Sequence, residues 1–307
     1  MLDSEWLANA EAAAAASMDR AIIAEIPTRP GFRSLMRPWV DTWRVSTGDS
    51  AILARTLHDV GRFLAGIWAL QLHWGPGGLT VSRLAEALQL SGMAGPGRAR
   101  TTLIYLRFIG YIEPGSGGDG RTRRYQPTAR MLTAFKTRLS RDLLAFWPVD
   151  PAILALGPHF DRDEVFGAYL TAVAEVTGLA LRGYKKDGPS LEVASQRFGG
   201  FSVLGELLLS GPRDGPVPPP DPVPLSISAL ARDCHISRAQ VRSVLIAAEE
   251  AGFLESLPDG RCRLTPLLST HIDMLLAGSL IVIAFAARRA LAVAQAQPAL
   301  DPEAHFV

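Results

Sequence analysis

Two stretches of this 307-residue chain share one pattern. Residues 97–113, GRARTTLIYLRFIGYIE, lie over 239–255, AQVRSVLIAAEEAGFLE, at a constant offset of 142. The pairs include Arg100 with Arg242, Thr101 with Ser243, Leu103 with Leu245, Ile104 with Ile246, Gly110 with Gly252 and Glu113 with Glu255. Upstream, LTVSRLAEAL (79–88) lies over LSISALARDC (225–234), pairing Leu84 with Leu230 and Ala85 with Ala231. Downstream, Tyr125–Thr128 and Arg263–Pro266 share only a strand-end threonine. The identities are individually few; their shared order, a helix pattern, then a glycine, then a basic hairpin, is the stronger evidence that one architecture forms twice.

The second copy parses into helix, turn, helix and hairpin. Ser226 or Ser228 can cap a short helix that runs through Cys234 and buries Leu230, Ala231 and Cys234. A turn at His235-Ile236 follows. Ser237-Arg238-Ala239-Gln240 then has the capping-box pattern, in which the serine hydroxyl and the glutamine side chain satisfy each other's backbone N–H groups. Val241, Val244, Leu245 and Ala248 recur at three- and four-residue steps and form one apolar stripe. Gly252 suits the left-handed geometry that ends a helix. Phe253-Leu254-Glu255 starts a strand, Pro258-Asp259-Gly260 turns it, and Arg261-Cys262-Arg263-Leu264 returns. The first copy follows the same plan over 80–125. Its inter-helix turn, Ser91–Gly97, is longer, Gly110 is the stop, and Pro114–Gly120 is the hairpin tip.

Long helical patterns flank each copy, at 51–74 and 128–147 for the first and at 201–209 and 266–295 for the second. Residues 162–183 read as a connecting helix, 211–224 as a proline-rich loop inside the second unit, and 27–38 as an extended, proline-interrupted stretch. The expected fold is mainly α with small β wings: two tandem winged helix-turn-helix units packed through long flanking helices. Its parts are an N-terminal, partly helical segment (1–50), a first winged-helix domain (51–150), a connecting helical segment (151–196), a second winged-helix domain (197–297) and a tail (298–307).

Composition removes several alternatives. Cys234 and Cys262 are the only two cysteines, too few for a disulfide framework or a four-thiolate metal site. His58, His73, His159, His235, His271 and His305 show no metal-ligand spacing with Cys or acidic residues. The glycine runs at 75–78 and 115–120 lack the Gly-Lys-Ser/Thr of a phosphate loop. No nucleophile–base set is recognisable, so neither an enzyme nor a cofactor is expected. Trp39, Trp43, Trp68, Trp74 and Trp147 read as core packing in preference to a ligand pocket. The N-terminus lacks the positive start of a signal peptide. The most apolar run, 274–287, is shorter than the ~20 residues that span a bilayer. It therefore reads as a buried or interface helix, giving a cytoplasmic chain with no membrane partner and a possible homodimer through 266–295.

Net charge is only +1, so any polyanion site must come from clustering. Residues 95–141 hold ten basic side chains against Glu113 and Asp119, whereas 225–263 balances five of each sign. A helix offered to the DNA major groove needs polar or cationic side chains on its outer face, and cations set against phosphate on either side. Arg98, Arg100 and Thr101 meet that need in the first copy, with Arg121, Arg123 and Arg124 on its wing. In the second copy Ser237, Arg238, Gln240 and Arg242 lie on the helix, with Arg261 and Arg263 on the wing. Cys262, on the same wing, is a candidate exposed thiol.

The segment SRAQVRSVLIAAEEAGFLE resembles the recognition helix and first wing strand of MarR-type bacterial regulators. Each half of the chain is similar to their winged-helix domain over some 55 residues. Those proteins are usually dimers of one short chain, so two units in one chain imply an internal pseudo-dimer. The resemblance implies a transcriptional regulator that binds double-stranded DNA. It leaves room for a small-molecule effector, for which this sequence supplies no matching pocket residues. The alternatives are a plasmid-type replication initiator, which also uses paired winged helices, and a winged-helix scaffold that binds protein without DNA.

Overall fold

The structure, a computed structural model, describes residues 19–44, 60–90, 96–115, 123–184 and 197–296, with 9 and 12 singly. Asp19 caps the short helix α1 (Arg20–Glu25) by accepting the Ala21 N–H at 2.8 Å. A 3-10 turn, Ile26–Thr28, leads to α2 (Phe32–Asp41). Much of the stretch expected to be extended is therefore helical, with Pro38 inside α2. A proline there removes one helical hydrogen bond and costs about 3 kcal/mol. Phe32, Leu35, Met36, Trp39 and Val40 are all buried on one face, and roughly 1.5–3 kcal/mol for each outweighs that loss.

Two segments then repeat the same order. The first has α3 (Val60–Trp74), α4 (Val81–Leu90), α5 (Pro96–Phe108), the hairpin β1–β2 (Ile112–Pro114, Tyr125–Pro127) and α6 (Ala129–Phe146). Between them run α7 (Pro151–Leu156) and α8 (Asp163–Tyr184). The second has α9 (Gly200–Leu208), β3 (Val223–Pro224), α10 (Ile227–Asp233), α11 (Arg238–Glu250), the hairpin β4–β5 (Leu254–Ser256, Arg261–Leu264) and α12 (Pro266–Ala296). The architecture is mainly helical with small antiparallel sheets.

The correspondence extends to individual hydrogen bonds. Thr80 Oγ1 accepts the Arg83 N–H at 3.2 Å, and Ser226 Oγ, not Ser228, accepts that of Ala229 at 3.3 Å. Helices α5 and α11 both stop at a glycine with positive φ, +73° at Gly110 and +74° at Gly252. The next residues, Tyr111 and Phe253, each donate back to the helix at 2.8 Å, to Leu106 and Ala248, and bury their rings. Thr128 and Thr265 donate their hydroxyls to the glycine carbonyls at 2.8 and 2.7 Å. They also accept the N–H groups of Met131 and Leu268 at the starts of α6 and α12. Glu113 faces Gln126, and Glu255 faces Arg263, across equivalent hairpins. A third strand position, invisible in the repeat, flanks each hairpin. Leu79 bridges Tyr125 in the first segment, and Val223 pairs with Cys262 in the second.

The flanking helices merge both segments into one continuous core. Helix α8 packs along α12 and against α3, while α7 and α6 also meet α12. Helix α12 is long and apolar enough to cross a membrane, yet no residue between 271 and 288 is exposed. Within the apolar run 274–287, Met274, Leu275, Ser279, Val282 and Phe285 are partly exposed and the rest are buried. Trp39, Trp43, Trp68 and Trp74 join this core, with Trp43 edge-on to both Trp39 and Phe201 at 4.8 Å, whereas Trp147 is exposed.

Ion pairs tie the early helices to the late ones. Arg44 grips Glu206 through two 2.7 Å hydrogen bonds. Arg288 donates to Asp150, whose other oxygen caps α7. Arg33 meets Asp273 of α12 with both carboxylate oxygens, at 2.7 and 2.5 Å. Burial pushes the Asp273 carboxyl above its ordinary value, and the Arg33 charge pulls it partly back. A carboxyl raised in the folded state favours folding most at low pH, and that contribution fades as pH rises through its folded value. Removing Arg33 moves the value higher still. Arg33→Met should therefore lower stability at neutral pH by about 1–3 kcal/mol, less than for a sealed pair because Arg33 is half exposed. Urea melts should show the deficit shrinking as pH falls; a deficit of the same size at pH 4 and pH 7 would refute the account.

Candidate nucleic-acid interface

Helices α5 and α11 each bury one face and present the other. Ala99, Thr102, Leu103 and Leu106 are buried in α5, and Val241, Val244, Leu245 and Ala248 are buried at the matching positions of α11. The outward face of α5 carries Arg98, Arg100, Thr101, Ile104, Arg107 and Phe108; that of α11 carries Arg238, Arg242, Ile246, Glu249 and Glu250. Arg100 and Arg242 occupy the same position, four residues before Ile104 and Ile246. Both isoleucines stand well out of the core, 61% and 56% exposed.

Several of the expected contact residues already have local work. Thr101 donates its hydroxyl to Gly97 O at 3.0 Å, within its own helix. Ser237 and Gln240 form the capping box: Ser237 Oγ accepts the Gln240 N–H at 3.2 Å, and Gln240 Oε1 accepts the Ser237 N–H at 2.9 Å. Arg238 and Arg242 are exposed. The turn before them holds His235 at φ +53°, a left-handed position that lets α10 end and α11 begin.

The basic cluster read from 95–141 divides in two. Arg130, Lys136, Arg138 and Arg141, all on α6, hold partners within the chain, and Arg130 is exposed. Arg130 donates to Ile109 O, Lys136 pairs with Asp163, Arg138 pairs with Asp142, and Arg141 reaches Arg44 O. Arg98, Arg100 and Arg107 remain on the outer face of α5, and Arg123 and Arg124 are exposed at the foot of the hairpin. Arg121 lies outside the described residues. Arg123 sits over the Tyr125 ring at 6.0 Å.

The second hairpin is different in kind. Arg261 donates to Asp259 at 2.7 Å and Arg263 to Glu255 at 2.8 Å. The Arg261 guanidinium holds Asp259 below the usual carboxylate range, and Asp259 raises Arg261 in turn. At the position of Arg263 the first hairpin has Gln126, a neutral donor to Glu113. The wing arginines of the second segment are therefore matched by carboxylates, while Arg123 and Arg124 pair with none among the described residues. Cys262, expected as an exposed thiol, is fully buried because it faces inward from β5, and burial pushes its thiol up.

Sequence reasoning passed over two features of this surface. Arg197, at the entrance to α9, donates to Ser243 Oγ at 2.7 Å and sets another cation beside α11. No repeat or motif marks it, since only the fold brings it there. The outward isoleucines were legible: at 100° per residue, Ile246 lies a full step off the Val241–Ala248 stripe. Among the described residues no three of His, Cys, Asp and Glu converge to hold a metal ion.

The capping assignment separates support from recognition. Ser237→Ala should lower stability by about 1 kcal/mol, measured in denaturant, and leave any base preference of the chain unchanged. A shifted preference with unaltered stability would return Ser237 to the contact surface.

The chain matches no protein-family model, no curated protein and no solved structure, so the functional reading stands on the geometry of these helices and hairpins.

Proposed function

We propose that the chain is a DNA-binding transcriptional regulator that uses two winged helix-turn-helix units as an internal pseudo-dimer on duplex DNA. The observation that carries this reading is the matched outer face of α5 and α11. Each is the second helix of a pair, is followed directly by a hairpin, and presents an arginine and an isoleucine one turn apart at the same positions. The resemblance of SRAQVRSVLIAAEEAGFLE to MarR-type recognition helices agrees with it. Arg100, Arg238 and Arg242 face outward where a groove-bound helix would meet base edges.

The two units do unequal work in this reading. Arg123 and Arg124 supply phosphate contacts from the first wing. Arg261 and Arg263 already hold carboxylates, so moving them onto phosphate exchanges one ion pair for another and releases few counterions. Affinity for duplex DNA should fall linearly with log[salt], by about 0.9 per neutralised phosphate. Arg123→Ala with Arg124→Ala should flatten that slope by roughly 1–2, while Arg261→Ala with Arg263→Ala should leave it nearly unchanged. Equal flattening by the two pairs would remove the division of labour.

One observation favours a second reading, a scaffold that docks protein. Phe108, at the end of α5, is 87% exposed, and Leu144 and Trp147 are exposed on and after α6; DNA binding uses none of them. If the chain shows no affinity for duplex DNA at about 50 mM salt, where phosphate contacts are strong, the scaffold reading displaces the first.

A further inference from the structure

We infer that Ile104 and Ile246 read the 5-methyl group of thymine, one in each half of the bound site. The inference rests on the reading of the chain as a duplex-DNA binder and names the base feature it recognises.

Single exposed apolar side chains are common and need no explanation. Three observations set this pair apart. First, neither isoleucine belongs to the core cluster or packs against it, so neither is held in place by a structural need. Second, the outer faces of the two helices diverge towards their C-terminal ends, where Arg107 matches Glu249 and Phe108 matches Glu250. On those faces Arg100/Arg242 and Ile104/Ile246 keep their identity. Third, each isoleucine stands one turn after an arginine on the same face, Ile104 after Arg100 and Ile246 after Arg242, with Phe108 and Glu250 one turn further on.

The major groove offers an aliphatic side chain one matching group, the C5-methyl of thymine. It offers a guanidinium the O6 and N7 of guanine. Residues four apart on a helix stand about 6 Å apart, and base pairs rise about 3.4 Å. Arg100 with Ile104, and Arg242 with Ile246, therefore match a guanine and a thymine one or two base pairs apart, once in each half-site. The isoleucines gain on binding the burial that the free chain leaves unrealised.

The test uses the full chain. Sites are selected from a random duplex pool, and each thymine of the selected site is replaced in turn by deoxyuridine, which lacks only the methyl. At one thymine in each half-site the replacement should weaken binding about fourfold, the value of one buried methyl-sized group. Ile246→Ala should bind thymine and deoxyuridine equally at one of these positions and retain the penalty at the other; Ile104→Ala should do the reverse. Because both side chains are exposed, the variants should fold, and the deoxyuridine series on the parent chain needs no variant at all. Steep salt dependence with no consensus, or with no sensitive thymine, overturns the inference and leaves the DNA reading intact. A thymine penalty that survives in both variants overturns the assignment to these residues. No duplex affinity at low salt overturns the DNA reading, and the inference falls with it.

Discussion

Small side chains stabilise a helix interface only when the backbones come close, and α12 is built on that condition. Ala277, Gly278, Ala284, Ala286, Ala287, Ala290 and Ala294 are buried along it, interleaved with Leu276, Leu280, Ile281 and Ile283. None of these alanines reaches far enough to fill space by itself, so α8, α7 and α6 must lie directly against the helix for its surface to leave water. Arg33 and Arg288 close the polar openings by holding Asp273 and Asp150. The two hairpin segments hang from this shared core.

That arrangement bears on how two weak modules can cooperate. Modules joined by a flexible linker bring the second one to its target at an effective concentration set by linker length. Here the separation is instead imposed by packing: α3 and α6 of the first segment and α12 of the second contribute to a single core. Under the proposed function, the spacing between the two reading helices is fixed before DNA arrives, and the ordering cost on binding is correspondingly small.

Much of this was readable in the chain itself, for identifiable reasons. The capping box at Ser237 and Gln240, the glycine stops at 110 and 252 and the apolar stripe of α11 are local patterns, and local patterns survive folding unchanged. What escaped depended on contacts between distant residues. Pro38 argued for an extended segment, but the buried face of α2 outweighed it. The third strand positions at Leu79 and Val223 are too short to leave a periodic signal. Helix α7 announced itself through Asp150-Pro151, a cap followed by a first-turn proline, yet six residues are easily passed over. In the candidate interface, charge counting does not separate arginines that stand exposed from those that are engaged within the chain. Only the fold reveals that those on α6 are engaged with Asp163, Asp142 and backbone carbonyls, and that Arg261 and Arg263 carry their own counterions.

The two thiols have a use of their own. Cys234 closes α10 and Cys262 sits at the centre of the three-stranded sheet; both are buried, and burial pushes Cys234 up to about 12. Neither is reactive while its surroundings stay closed. Since both fall in the second segment and the first contains no cysteine, the rate of thiol modification gauges local opening of one half of the molecule. The other half stays silent, and the chain carries a one-sided meter of its own breathing.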